Sequence, residues 1–206
     1  MTITLPLRLL LLLLTLFLLA GCAGRAPAPV GDRAAGQWEA QRERLSRLDH
    51  WELSGKVGLR TPEESTSATL DWRRTPYHFR LLISGPFGSG RSVLEGREGR
   101  VSLTTGEGRF EAESAEALMR QQLGWSLPVA ALDDWMIGLP AANRPHRLAR
   151  DALGFPHRLE QDGWQIEYRD WTRAESLWLP RRLVMTYGDL RVTLVATEWR
   201  PESTDV

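Results

Sequence analysis

Residues 85–92, Gly-Pro-Phe-Gly-Ser-Gly-Arg-Ser, come within one residue of spelling a phosphate-binding loop, G-x-x-x-x-G-K-[ST]. In that motif backbone N–H groups cradle the phosphates and a lysine reaches the terminal ones. Here Arg91 replaces the lysine, and a strand pattern follows where the motif needs a helix. The nucleotide reading therefore fails on context. Other catalytic chemistry is thin. His50, His78, His146 and His157 are the four histidines, and none has the short spacing of a metal-ligating pair. Asp133 and Asp134 are neighbours on a helical stretch, so their carboxylates point apart rather than converge. There is no G-x-S-x-G elbow to present a nucleophilic serine. No residue offers itself for acid–base, nucleophilic or metal-assisted work, and neither an enzyme, a metal nor a cofactor is expected.

One residue does carry a covalent signature. Arg8 is followed by an apolar run from Leu9 to Ala20, broken only by Thr15, and the run closes on Leu19-Ala20-Gly21-Cys22. That is a secretory signal ending in a lipobox, with Cys22 as the acceptor of a lipid. The apolar run is about 12 residues, against roughly 20 for a bilayer-spanning helix. Cys22 is the only cysteine, so neither an intrachain disulfide nor a cysteine metal site can form. The signal occupies 1–21, and a lipidated tether rich in Ala, Pro and Gly occupies 22–36. A single domain of adequate size for one core fills 37–206. The formal net charge is +0, with no basic run, which argues against nucleic acid and against a polybasic membrane patch.

The domain reads as mostly strand. A short amphipathic helix over 37–48 is followed by a switch to period two. Trp51, Leu53, Gly55, Val57 and Leu59 alternate with polar residues. Further strands are expected over 66–72, 77–83, 91–95, 100–104 and 109–112, with Tyr77, Phe79, Leu81 and Ile83 as one inward row. Helical chemistry then intervenes. Ser114 caps a helix that Gly124 ends; Ser126 caps a second, with Pro128 in its first turn and Gly138 at its end. Leu139 to Pro145 reads as loop. Strands resume at 158–161, and Asp162-Gly163 is a strong hairpin signal before Trp164, Ile166 and Tyr168. Strands over 182–187 and 190–197 complete the set. The expected fold is mainly β with an α lid: an unclosed antiparallel barrel of about 10–11 strands whose short helices cover the interior. Nine tryptophans can line a cavity or fill a core equally well. In the loop at Gly85, Pro86, Phe87 and Gly88, the one large apolar side chain either protrudes or folds back as a plug. Protruding into lipid it would gain about 2 kcal/mol.

The chain resembles the LolB family of outer-membrane lipoprotein receptors and insertases over nearly all of the domain. The resemblance rests on Ser54-Gly55-Lys56, Leu70-Asp71-Trp72-Arg73 and the run from Leu81 to Gly88. It continues through Ala131 to Pro140, containing Trp-x-x-Gly-Leu-Pro, then Gln161 to Tyr168, Leu179 to Leu183 and Trp199. It implies an unclosed barrel with a helical lid over a hydrophobic cavity. It also implies a LolA-type carrier as partner, acyl chains of cargo lipoproteins as ligand, the inner leaflet of the outer membrane as destination, and a monomer. The family's protruding loop residue, typically leucine, falls on Phe87, and Ala23 fits outward sorting. Read this way, Leu53, Val57, Leu70, Trp72, Phe79, Leu81, Val101 and Ile166 line the barrel, with Leu118, Met119, Leu132 and Trp135 beneath the lid. A structural or assembly lipoprotein with a solidly packed barrel, and an envelope hydrolase or small-ligand lipoprotein, are the competing readings.

Overall fold

Each apolar/polar alternation in the sequence can bury one face of a strand, and eleven strands in succession must curl to bury that face together. A computed structural model describes residues 32–85, 90–97 and 99–202. Cys22 and the loop tip with Pro86, Phe87 and Gly88 lie outside them. Strands β1 (Trp51–Arg60), β2 (Ser65–Thr75), β3 (His78–Ser84), β4 (Ser92–Arg97), β5 (Arg100–Thr105) and β6 (Gly108–Ala112) form one run. Strands β7 (His146–Arg150), β8 (Pro156–Gln161), β9 (Trp164–Ala174), β10 (Leu177–Tyr187) and β11 (Leu190–Pro201) form the other. Together they make one antiparallel sheet in the order β6-β5-β4-β3-β2-β1-β11-β10-β9-β8-β7. The first and last neighbours in that order are not paired, so the barrel is unclosed.

Three helices accompany the sheet: α1 (Gln37–Ser46), α2 (Ala115–Leu123) and α3 (Val129–Met136). Helix α1 seals the end of the sheet where β10 begins. The Gln41 amide makes a reciprocal pair with the Trp178 backbone, donating to its oxygen at 2.8 Å and accepting from its nitrogen at 2.7 Å. Trp38 packs edge-on against Trp171 at 5.1 Å between ring centres and close to Phe155 at 5.7 Å. Much of the tryptophan content is thus spent on plugging this end. Trp51 bridges Trp72 and Trp199 in a second cluster at the same end of β1.

The helix signals behave in part as expected. The Ser114 hydroxyl accepts from the Ala117 N–H, and Gly124 ends α2 in the left-handed region at φ 76°. Ser126 does not cap α3: Pro128 holds that position, without a side-chain bond, and the helix starts at Val129. Tyr77 departs from its expected inward row. It sits in the β2–β3 turn, 83% exposed, because β3 begins at His78, one residue later than alternation suggests. Strand β7 appears where the sequence offers only Leu148 as a large apolar residue; it is an edge strand paired with β8 alone. The Asp162-Gly163 hairpin forms with both residues at positive φ, 53° and 79°.

Candidate functional site

Along the half of the sheet that carries the β1–β2 hairpin, the inner face is apolar apart from Thr66 at the hairpin end. Register brings Leu59 opposite Thr66 and Val192, Val57 opposite Ala68 and Leu194, and Leu70 opposite Ile83. Helices α2 and α3 cross above this face and do not fill it. A cavity of about 110 Å³ remains, floored by these strands and roofed by Met119, Leu132 and Met136. Among the described residues, only Thr66 and Ser67, at one rim, bring hydroxyls to its lining, and no charged side chain reaches it. Such a space offers burial of hydrocarbon and nothing for acid–base chemistry.

The residues expected to line the interior divide in two. Val57, Leu70, Trp72, Leu81, Met119 and Leu132 surround the cavity. Leu53, Leu118 and Ile166 are buried in the packed core away from it. Phe79 and Val101 border a separate groove of about 310 Å³ near the β2–β3 and β4–β5 turns, where the Phe79 ring covers Gly96. Trp135 is fully buried and serves as a fastening: its Nε1 donates to the Gln161 side chain at 2.8 Å. Sequence alternation already put Leu59 and Ile83 in phase with the inward rows, and could have supplied Val192, Leu194 and Met185 in the same way. It could not have supplied Trp125 and Leu127, which lie between helices in a segment without period.

Three polar devices hold α3 over the sheet. Buried Gln161 accepts from Trp135 Nε1 and from the Ala141 N–H, each at 2.8 Å, and donates to the Ala141 carbonyl at 2.8 Å. The Tyr168 hydroxyl donates to the Trp135 carbonyl at 3.1 Å, and burial drives its ionisation well above the ordinary tyrosine range. On the other side Arg74 Nε of β2 donates to Asp133 Oδ2 of α3 at 2.7 Å. Desolvation dominates the Asp133 carboxyl and pushes its pKa up to about 6, although the Arg74 guanidinium pulls the other way. Its second oxygen, Oδ1, is buried without a hydrogen-bond partner. Asp134 is likewise raised, by desolvation first, against a backbone N–H from Ala142. Among the described residues no three His, Cys, Asp or Glu side chains cluster to hold a metal.

Residues 49–199 match the family described as outer membrane lipoprotein LolB. An outer-membrane lipoprotein LolB of Chromohalobacter salexigens is 64% identical over 183 residues, covering 89% of this chain and 86% of the relative. One from Pseudomonas aeruginosa is 48% identical over 198 residues, covering 95% and 97%. The chain belongs to the LolB family. Among solved structures, a LolA superfamily protein from Nitrosomonas europaea superposes with a TM-score of 0.53 at 10% identity, over 80% of this chain and 93% of that one. A DUF1329 family protein from Desulfovibrio piger gives 0.54 at 6%, over 85% and 96%. The unclosed barrel with inner helices is therefore a fold that LolB shares with the LolA superfamily. LolB membership makes this chain an outer-membrane lipoprotein.

Proposed function

We propose that this protein accepts the acyl chains of lipoproteins from a LolA-type carrier and passes them to the inner leaflet of the outer membrane, without catalysis and as a monomer anchored through lipidated Cys22. The observation that carries this reading is the uncharged apolar cavity between the curled sheet and its helical cover. Each methylene moved out of water is worth about 0.8 kcal/mol, so a bare acyl chain cannot cross an aqueous gap unprotected. A downhill series, from carrier to receptor to bilayer, needs no nucleotide. Phe87 enters the reading as the side chain that meets lipid: the chain at Ile83 and Ser84 leads from the cavity wall into that loop.

The cavity volume sets a condition on this reading. About 110 Å³ is below the roughly 150 Å³ that accepts a benzene ring. A barrel that stays this closed would be a structural lipoprotein, so the transfer reading requires the cover to move. Transfer of a labelled lipoprotein from carrier to this protein, and on to liposomes, with no energy source decides between them. Transfer at a measurable rate supports the receptor reading, and failure to take up any acyl group leaves the packed barrel. Within the same assay Phe87→Glu is expected to keep acceptance and cripple release; insertion at the unaltered rate would remove the loop from the mechanism.

A further inference from the structure

The cavity is not equally sealed on all sides. Trp72, Leu81, Leu132, Met136, Met185, Val192 and Leu194 are buried, and they close its inner end. Val57, Ala68, Ile83, Trp125 and Leu127 are half-exposed, and Thr66 and Ser67 are exposed. The opening therefore lies between the β1–β2 hairpin and the segment 124–128, which joins α2 to α3. The fastening is unequal as well. Helix α3 is held by Gln161, by Tyr168 and by the Arg74–Asp133 ion pair. Among the described residues no hydrogen bond ties 124–128 to the sheet. The nearest is the Val129 N–H to Glu116 Oε1 at 3.0 Å, which joins the start of α3 to α2. Gly124 sits in the left-handed region at one end of the segment, and Pro128, lacking an N–H, stands at the other.

We propose that a hydrocarbon chain passes into the cavity beneath segment 124–128, with Trp125 and Leu127 as the side chains that part to admit it, while α3 remains fixed to the sheet. This rests on the acyl-binding reading above. Trp125 and Leu127 cover hydrocarbon from the solvent side, so parting them exposes apolar surface that an incoming chain covers again. Swinging α3 aside would instead strand the Gln161 amide, the Trp135 indole N–H and the Asp133 carboxylate, and an incoming alkyl chain can replace none of those bonds. The low-cost motion is the one that breaks no buried polar contact. Trp125 and Leu127 then also set which chains pass, since their bulk defines the width of the portal.

The test uses the full chain in phosphatidylcholine vesicles and a palmitic acid bearing a photoactivatable diazirine. Labelling of peptides containing Met136 or Met185 reports arrival in the cavity. One double variant, Ser67→Cys with Leu127→Cys, is joined across the portal by a cleavable bifunctional maleimide. A second, Arg97→Cys with Ala130→Cys, ties the exposed start of α3 to β4 across the groove both residues border. The portal link is expected to cut cavity labelling at least tenfold, with recovery when the link is cleaved. The α3 link is expected to leave labelling within twofold of the unlinked chain. Full labelling through a linked portal, or loss of labelling on tying α3 down, overturns the assignment. If the unlinked, unsubstituted chain takes no label, the acyl-binding reading itself falls, and the portal with it. Recovery on cleavage separates a closed portal from a damaged fold.

Discussion

Gln161 shows what one buried amide can fix. It is 3% exposed, and its three short bonds satisfy an indole N–H, a backbone N–H and a backbone carbonyl that have no water to turn to. Gln161→Leu keeps the volume and strands all three. The expected loss is about 3 kcal/mol, read as a lower urea midpoint, because each unsatisfied buried group costs roughly 1–3 kcal/mol. A shift of a few tenths would mean that water replaces the amide. Asp133 makes a pH-dependent prediction. Its folded pKa near 6 lies above the ordinary 3.8, so the folded state binds the proton more readily than the unfolded chain does. Its contribution favours folding at low pH and is lost as pH rises through 6. Relative to Asp133→Asn, the native chain should therefore gain stability as pH falls from 7 towards 4.5. A difference in urea midpoint that stays flat over that range would show that Asp133 is already ionised there. Neither role was legible in the sequence. Gln161 appeared only within a hairpin motif, and Asp133 only as half of a diverging pair, because their partners Ala141 and Arg74 come from distant elements.

At the scale of elements, alternation located most strands and several helix ends, because those signals are local. Ser114, Gly124 and Asp162-Gly163 act through their own backbone neighbours. What failed depended on position in the sheet. Tyr77 carries the right residue type for an inward row and misses it by one turn residue, while β7 has almost no apolar face because an edge strand needs little. Trp135 has the size of a cavity lining and is instead a rivet. Gly55 shows a constraint that only pairing reveals. The β1–β11 register slips between Ser54 and Gly55, and there a Cβ would stand 2.4 Å from the Val195 carbonyl oxygen. Backbone cannot retreat as a side chain can, so Gly55→Ala should destabilise the domain by about 1–3 kcal/mol. Thermal unfolding measures it. An unchanged midpoint would show that this bulge has slack, and that the strand pair is softer than its register suggests.

The whole molecule has two unlike ends. One is sealed by α1 and its aromatic cluster. The chain joins the domain there, where Arg33 bonds Asp151 at 2.7 Å and lies over the Phe155 ring. The cavity portal and the root of the Phe87 loop lie at the other, beside the β1–β2 hairpin. The opposition of these two ends is a property of topology: β1 and β11 run the length of the sheet between them. The distance is about that of the 10-residue β1, roughly 33 Å at 3.3 Å per residue. With the lipid on Cys22, as proposed, residues 23–32 can reach about 33 Å at full stretch, barely enough to turn the portal end towards the membrane that holds the anchor. Deleting residues 25–29 halves that reach. In vesicles carrying the protein, the deletion is expected to leave acceptance of cargo from the carrier intact and to reduce insertion into those same vesicles at least tenfold. A Gly-Ser stretch of equal length should restore insertion, since reach and not sequence is what the deletion removes. Insertion at the full rate through the shortened tether would mean that cargo leaves without the loop end facing the anchoring membrane.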